Sequence, residues 1–284
     1  MKSNLIKYLF LVLIFFTNTP LVSNELIFET EEIDIINGGQ ITKAKNGKVN
    51  FIKENFEVSG NSFVYDKKTK ILIVTNSKSI LNNDNLIIEA DEITYNRNTL
   101  EIIAENNVKL KDLLNKSTIS SEKLIYNLKS KKIISNSPSK FLDNYNNSLY
   151  TGNFVYDLNN SIAKIDSLKI VDSLRNEYSL KKSYYNTKSK KLVGKDVFVD
   201  LGKAASQENK FRIKSLGIEK EEKKTILKKA VFTPCKKTDT CPPWQISAEA
   251  ITHDQEKKTM YYKNAWLEIY DKKVLYFPKF FHPD

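Results

Sequence analysis

The chain has 284 residues, with 45 Lys and Arg against 34 Asp and Glu, a formal net charge of +11, 28% charged and 40% apolar residues. This mix excludes a disordered chain and leaves room for a real core. Only Arg97, Arg175 and Arg212 are arginines. Arginine is the bidentate reader of phosphates and bases, so the positive charge reads as a solvated lysine surface and nucleic acid is not an expected partner.

In chain order, Lys2 and Lys7 precede an apolar run from Tyr8 to Phe16, followed by the polar stretch Thr17-Asn18-Thr19-Pro20 and Ser23. The run is shorter than the roughly 20 residues a membrane helix needs and has the layout of a secretory signal peptide. Residues 1–23 are therefore expected to direct export. The segment from Ile33 to Ile41 reads as an edge strand available to extend a partner's sheet.

From there a unit recurs every 30 residues or so: an apolar strand, a Tyr-Asp or Tyr-Asn turn, and a new apolar strand. It appears as Phe63-Val64-Tyr65-Asp66, Ile93-Thr94-Tyr95-Asn96, Leu124-Ile125-Tyr126-Asn127, Phe154-Val155-Tyr156-Asp157 and Ser183-Tyr184-Tyr185-Asn186. Gly217-Ile218-Glu219-Lys220 lacks the aromatic, and Ile251-Thr252-His253-Asp254 closes the series. A lone hairpin cannot bury its apolar face, so a fixed period means copies stacked on one another. The fold class predicted is all-β, an elongated stack of antiparallel hairpins with these tyrosines at equivalent corners.

Alternation in Leu100–Glu105 gives one dry and one wet face. Ile71-Leu72-Ile73-Val74 and Phe198-Val199-Asp200-Leu201 are apolar on both, which predicts a second sheet or a cavity over the far side. Glu219–Lys229 has a helix-like composition but sits at a repeat position, and is read as a charged hairpin.

No catalytic motif is present and no enzyme activity is expected. His253 and His282 lie in no nucleophile, hydrolase or phosphate-loop pattern, the carboxylates sit singly in turns, and no cofactor or metal is implied. For Cys235 and Cys241 three readings stand: a local disulfide, pairing with a cysteine on another segment or chain, and a zinc site completed by His253 and His282.

The C-terminal stretch is the most specific. Thr233-Pro234-Cys235, Trp244-Gln245-Ile246-Ser247-Ala248, His253-Asp254, Tyr261-Tyr262-Lys263-Asn264-Ala265-Trp266-Leu267-Glu268 and Tyr276-Phe277-Pro278 through His282-Pro283-Asp284 resemble the junction ahead of the outer-membrane barrel in the LptD family of lipopolysaccharide-assembly proteins. The upstream repeats are similar to that family's OstA/LptA-like β-jelly roll, with its usual Gly-Asn-Val after each strand replaced by Asn106-Asn107-Val108, Gly194-Lys195-Asp196-Val197 and Lys229-Ala230-Val231.

The resemblance implies a signal peptide over 1–23, jelly-roll repeats over 24–230, and junction strands over 231–284, with the barrel that follows in the family absent from this sequence. It implies an exported periplasmic protein, associated with the outer membrane in full-length members, that guides lipopolysaccharide acyl chains along an apolar groove. Leu72, Val74, Ile102, Ala104, Ile133 and Leu192 are candidate groove residues. Implied partners are lipopolysaccharide, an LptA-like bridge protein joined by strand augmentation and, where a barrel is present, an LptE-like lipoprotein. In the family the cysteine at position 235 would pair with a barrel cysteine; here Cys235 and Cys241 are expected to pair with each other. The alternative from another class is an extracellular β-solenoid, either adhesin-like or a polysaccharide lyase.

Overall fold

The computed structural model describes residues 26–81, 84–142, 148–171, 176–200, 212–233 and 243–283. Its strands are β1 (Leu26–Ile36), β2 (Ile41–Phe51), β3 (Phe56–Asp66), β4 (Ile71–Leu81), β5 (Leu86–Asn96), β6 (Glu101–Asp112), β7 (Ser117–Asn127), β8 (Lys132–Ser135), β9 (Ser139–Leu142) and β10 (Ser148–Thr151). They continue as β11 (Phe154–Asp157), β12 (Ile162–Val171), β13 (Glu177–Asn186), β14 (Leu192–Asp200), β15 (Arg212–Lys220), β16 (Lys224–Thr233), β17 (Trp244–Asp254), β18 (Thr259–Ile269) and β19 (Lys272–Pro283). Among the described residues there is no α-helix. Each long strand pairs antiparallel with its neighbours in sequence, from β1, which pairs only with β2, to β19, which pairs only with β18. The all-β jelly-roll expectation holds, and the parallel coils of a solenoid are absent from the described residues.

The Tyr-Asx motif has a local cause. The carboxylate or amide oxygen of the Asx residue accepts backbone N–H bonds two and three residues on: Asp66 from Lys68 and Thr69, Asn96 from Asn98 and Thr99, Asn127 from Lys129 and Ser130, and Asn186 from Lys188 and Ser189. These are Asx turns, and each ends on a left-handed residue such as Lys70, Leu100, Lys131 or Lys190. Successive turns are tied together, Lys67 N–H to Gln40, Arg97 N–H to Lys70, Leu128 N–H to Leu100 and Leu158 N–H to Lys131. Two eleven-residue strands and two short turns make the repeat of about 30 residues.

A second event lies in the middle of the strands. In β4 the buried residues are Leu72 and Val74, then Ser77, Ser79 and Leu81, so the two-residue alternation slips by one between Val74 and Ser77. β12 does the same (Ala163 and Ile165, then Leu168 and Ile170), as does β16 (Thr225 and Leu227, then Ala230 and Phe232). At each slip a residue has positive φ: Asn76 at 45°, Ser167 at 56° and Lys229 at 49°. Asn46 in β2, Asp196 in β14 and Asn264 in β18 repeat the feature. A single left-handed residue turns the strand over, so both halves point their apolar residues at one interior. The neighbouring strand skips a pair at the same level, and pairing resumes in unchanged register, as between Lys45↔Ser62 and Gly47↔Gly60. β6 uses two left-handed residues, Asn106 and Asn107, and there the register shifts.

These positions line up across the sheet as a crease, and the sheet folds along it into two layers. Half of each long strand lies in the tyrosine layer, beside the Tyr-Asx turns, and half in the opposite layer. Outside the crease, asparagine amides donate to facing carboxylates: Asn46 to Glu31, Asn107 to Asp91 and Asn264 to Glu249. Inside it, side chains are small: Ala44, Gly60, Ser77, Ala90, Ala104, Ser121, Ser183, Gly194, Ser215, Ala230 and Ala248. A Cβ on Gly60 would sit 2.4 Å from Val74 Cγ1 and 2.8 Å from the Thr75 carbonyl oxygen. Away from the crease the buried residues are larger, with Phe51, Phe56, Leu81, Tyr95, Tyr126 and Tyr156 near the outer turns. The core is therefore a wedge, narrow at the crease and wide at its mouth.

Three expectations are corrected. Ile71–Val74 is covered on one face only: Leu72 and Val74 are buried, while Ile73 is 37% exposed on the outside, and Phe198 is likewise exposed. The segment from Ile33 to Ile41 is not one edge strand, because Asn37–Gln40 form a turn and Ile41 opens β2, which is paired on both sides. The three segments assigned to strand ends, at 106–108, 194–197 and 229–231, lie at the crease within β6, β14 and β16. Glu219–Lys229 does form a hairpin, of β15 and β16. Residues 230 and 231 both lie within β16, and the same sheet runs on to β19.

The crease makes a direct prediction. Asn76→Gly should leave stability near that of the parent, whereas Asn76→Val, which places a β-branched residue at a left-handed position, should destabilise by about 1–2 kcal/mol. Urea unfolding of the two variants checks this, and equal stability of both would be inconsistent with a left-handed crease.

Candidate functional site

The interior of the wedge is the candidate site. On the tyrosine layer one cross-strand row of inward residues runs Tyr65, Leu72, Tyr95, Ile102, Tyr126, Ile133, Tyr156, Ala163, Tyr185 and Leu192, each the register partner of the next. Val74, Ile93 and Ala104 form the adjacent row nearer the crease. All six candidate groove residues therefore lie on the inner face of this layer. Leu72, Val74, Ile102, Ala104 and Ile133 are in contiguous rows, while Leu192 stands three strands beyond Ile133's neighbour Tyr156. All six are at most 2% exposed, packed against the opposite layer.

The two layers meet differently at their two margins. At the crease the backbone is continuous. At the mouth they are joined by side chains that sequence reading did not find. The Tyr95 hydroxyl donates to Glu54 Oε1 (3.3 Å) in the turn between β2 and β3, with Arg97 Nε 3.5 Å from the same oxygen. Tyr126 donates to Asp84 Oδ2 (2.5 Å) between β4 and β5, with Lys131 Nζ at 2.7 Å. Tyr156 donates to Asp112 Oδ2 (3.3 Å) and lies 3.0 Å from Thr187 Oγ1, while the Asn115 amide donates to Asp112 (2.7 Å). The carboxylate precedes its tyrosine by 41, 42 and 44 residues. Ring contacts cross the same gap: Tyr95 meets Phe51 and Phe56 edge-on at 4.8 and 4.9 Å, and Phe154 meets Phe141 at 4.9 Å.

Toward the C-terminus this row changes character. After Leu192 it reads Lys220, Thr225, His253, Met260 and His282. Lys220 crosses to the opposite layer, its ammonium 5.3 Å from the Tyr178 ring centre, where cation–π attraction replaces the tyrosine–carboxylate bond. Tyr262 stacks on Phe280 at 4.2 Å, and its hydroxyl lies 3.0 Å from His282 Nε2.

Burial raises the pKa of these phenols. Tyr156 is pushed up to about 12, with desolvation the largest cause and Asp112 adding to it. Desolvation also raises Tyr95, reinforced by Glu54, Tyr126, reinforced by Asp84, and Tyr262. Among the described residues no group of three or more His, Cys, Asp or Glu could hold a metal, and no helix is long and apolar enough to cross a membrane. Cys235 and Cys241 lie outside the described residues.

The sequence matches no protein-family profile and no curated protein. Among solved structures it is similar to LptH, the LptA homologous periplasmic component of the lipopolysaccharide transport device of Pseudomonas aeruginosa. The identity is 13%, over 55% of this chain and 87% of that one, with a TM-score of 0.22. A likeness that shallow transfers neither fold nor function.

The tyrosines predict an alkaline limit. Below about pH 10, the pKa of an exposed phenol, folded and unfolded chains both keep these protons and the contribution is fully present. From there up through about 12 for Tyr156, the unfolded chain releases protons the folded one retains, so stability falls. The slope is up to about 1.4 kcal/mol per pH unit for each such tyrosine. Denaturant unfolding at increasing alkaline pH should show the fall, and Tyr156→Phe should flatten it. An unchanged slope in that variant would remove Tyr156 from the account.

Proposed function

We propose that the chain is the lipopolysaccharide-binding periplasmic part of an LptD-type outer-membrane assembly machinery. The observation that supports this is the wedge: a continuous apolar interior whose layers are covalently joined along one margin and held only by side chains along the other. In the closed form the interior is filled by its own side chains. Acyl chains enter as the layers part at the mouth, replacing contacts between the layers with contacts to lipid, while the sugars stay outside. Apolar area leaving water contributes about 25 cal/mol per Å², so several acyl chains offset the loss of the margin's hydrogen bonds at about 0.5–3 kcal/mol each. Because inward rows repeat from strand to strand, a bound chain meets similar surface along the stack.

The junction motifs support the same reading, and no observation favours a lyase or adhesin. Photo-crosslinking tests it. A benzophenone side chain replacing inward Ile102 or Leu192 is expected to capture lipopolysaccharide in cells, whereas one replacing outward Ile73 is not. Absence of lipid adducts from both inward positions, or equal capture from Ile73, would refute the proposal.

The partner side of the proposal concerns β1. Its outer edge is unpaired among the described residues, and Ile33 and Ile35 are 51% and 62% exposed. Strand augmentation there joins an LptA-like bridge protein, and an LptE-like lipoprotein belongs with the barrel of a full-length member. A crosslinker at Ile35 should trap the bridge protein. Adducts arising only from β19, for example at Leu275, would place that partner at the other end.

A further inference from the structure

Outside the wedge, the opposite layer carries a recess that the lipid reading does not use. It lies where two strands are cut through at the crease, β8 from β9 at 136–138 and β10 from β11 at 152–153. The serine hydroxyls of Ser121, Ser135, Ser137 and Ser139 converge there at 2.9–3.2 Å and donate to the carbonyls of Lys123 and Ser137, satisfying the interrupted backbone. Above them opens a cavity of about 540 Å³.

Its wall is one outward cross-strand row, Lys109, Ser120, Lys140 and Tyr150. Elsewhere in this row lysines meet carboxylates: Lys48 meets Glu29 and Glu57, Lys78 meets Glu89, and Lys169 meets Glu177. Lys109 faces Glu89 in register, but that carboxylate is held by Lys78 and Lys111, and among the described residues neither Lys109 nor Lys140 has a carboxylate within ion-pair distance. The Lys140 ammonium lies 5.6 Å from the centre of the Tyr150 ring, and Tyr150 is 44% exposed.

We propose that this cavity binds an anionic sugar, one bearing a phosphate or carboxylate group. Two unpaired ammonium groups about two strands apart, roughly 9–10 Å along the row, bracket the acid group. The exposed Tyr150 ring offers an apolar face to the CH side of a pyranose, and the outward Ser120 hydroxyl reaches its hydroxyls. Glu122 on the rim accepts from sugar hydroxyls and repels a dense polyanion, so the site takes a sugar with one acid group in preference to a run of phosphates. The site is on the outer surface and does not depend on what fills the wedge.

Amide NMR on the full chain tests this, with glucose 6-phosphate, glucose, inorganic phosphate and phosphatidylglycerol vesicles as separate probes. Glucose 6-phosphate is expected to shift the amides of Lys109, Ser120, Lys140 and Tyr150 at concentrations about tenfold below those at which glucose or phosphate does so. The outward-facing double variant K109Q/K140Q should lose this binding while keeping its unfolding midpoint, and Tyr150→Ala should weaken it. The proposal fails if glucose 6-phosphate shifts none of these amides at millimolar concentration. It also fails if phosphate alone matches the sugar phosphate, which makes the site a simple anion contact, or if the vesicles do so, which makes it a reader of membrane phosphates.

Discussion

A β-strand alternates its side chains between two faces, so a long strand that folds back on itself must change phase in the middle or expose half of its apolar residues. Everything else in this chain depends on how that is done. Left-handed residues in the middle of alternate strands (β2, β4, β6, β12, β14, β16 and β18), mostly Asn or Asp, make the change; these side chains tolerate positive φ better than other non-glycine residues. Because neighbouring strands change phase at the same level, the hydrogen-bond register survives the fold, and a single meander serves as both layers. Small residues follow for a steric reason: most strands place one Ala, Ser or Gly beside the crease, where a Cβ on Gly60 or Gly194 would meet a neighbouring side chain at 2.4 or 2.3 Å, whereas β12 carries Ile165 and Leu168 there. The buried serines there also bond carbonyls that the bend withdraws from the ladder, as Ser215 does for Gly217 and Lys228.

The opposite margin is governed by the tyrosines. In the Tyr-Asx pairs the Asx closes its own turn, while Tyr95, Tyr126 and Tyr156 reach across the wedge to a turn about one and a half repeats earlier. The ring fills the wide end of the wedge and the hydroxyl meets a partly buried carboxylate that also holds a cation, as at Glu54 with Arg97 and at Asp84 with Lys131. One margin thus opens by exchanging side-chain contacts, and the other cannot open without breaking the chain. A wedge built this way loosens from its mouth first, and that asymmetry gives the lipid reading its mechanical basis.

The period of the repeat, the antiparallel hairpins, the corner position of the tyrosines and the inward face of Leu72, Ile102 and Ile133 were legible in the sequence, because turns and short-range alternation are local signals. The crease was not. A window that assumes a straight strand reads Leu72-Ile73-Val74 correctly and then loses phase at Asn76, so Ser77, Ser79 and Leu81 look like the wrong face. Asn at 46, 76 and 264, halfway between one Tyr-Asx turn and the next, was the available signal, and loop-like composition disguised it. The tyrosine partners were invisible for another reason: a separation of 41 to 44 residues is set by how far one layer is staggered against the other, which no local pattern encodes.

The two outer faces differ, and the difference explains why apolarity on both sides of a strand misled. Outside the tyrosine layer a row runs Val64, Ile73, Thr94, Ile103, Ile125, Ile134 and Val155, each the register partner of the next. Ile103, Ile125, Ile134 and Val155 are half-buried, and they lie on a face that no second sheet covers among the described residues. Directly opposed β-branched residues shield one another, each pair contributing roughly 0.2–1 kcal/mol, so such a row stabilises the sheet without a covering layer. The corresponding row outside the opposite layer is mostly charged and polar, running Glu29, Lys48, Ser59, Lys78, Glu89, Lys109, Ser120, Lys140 and Tyr150. Charge pairing on one outer face and β-branched pairing on the other stiffen the two layers, leaving the mouth of the wedge as the margin with the weakest constraint.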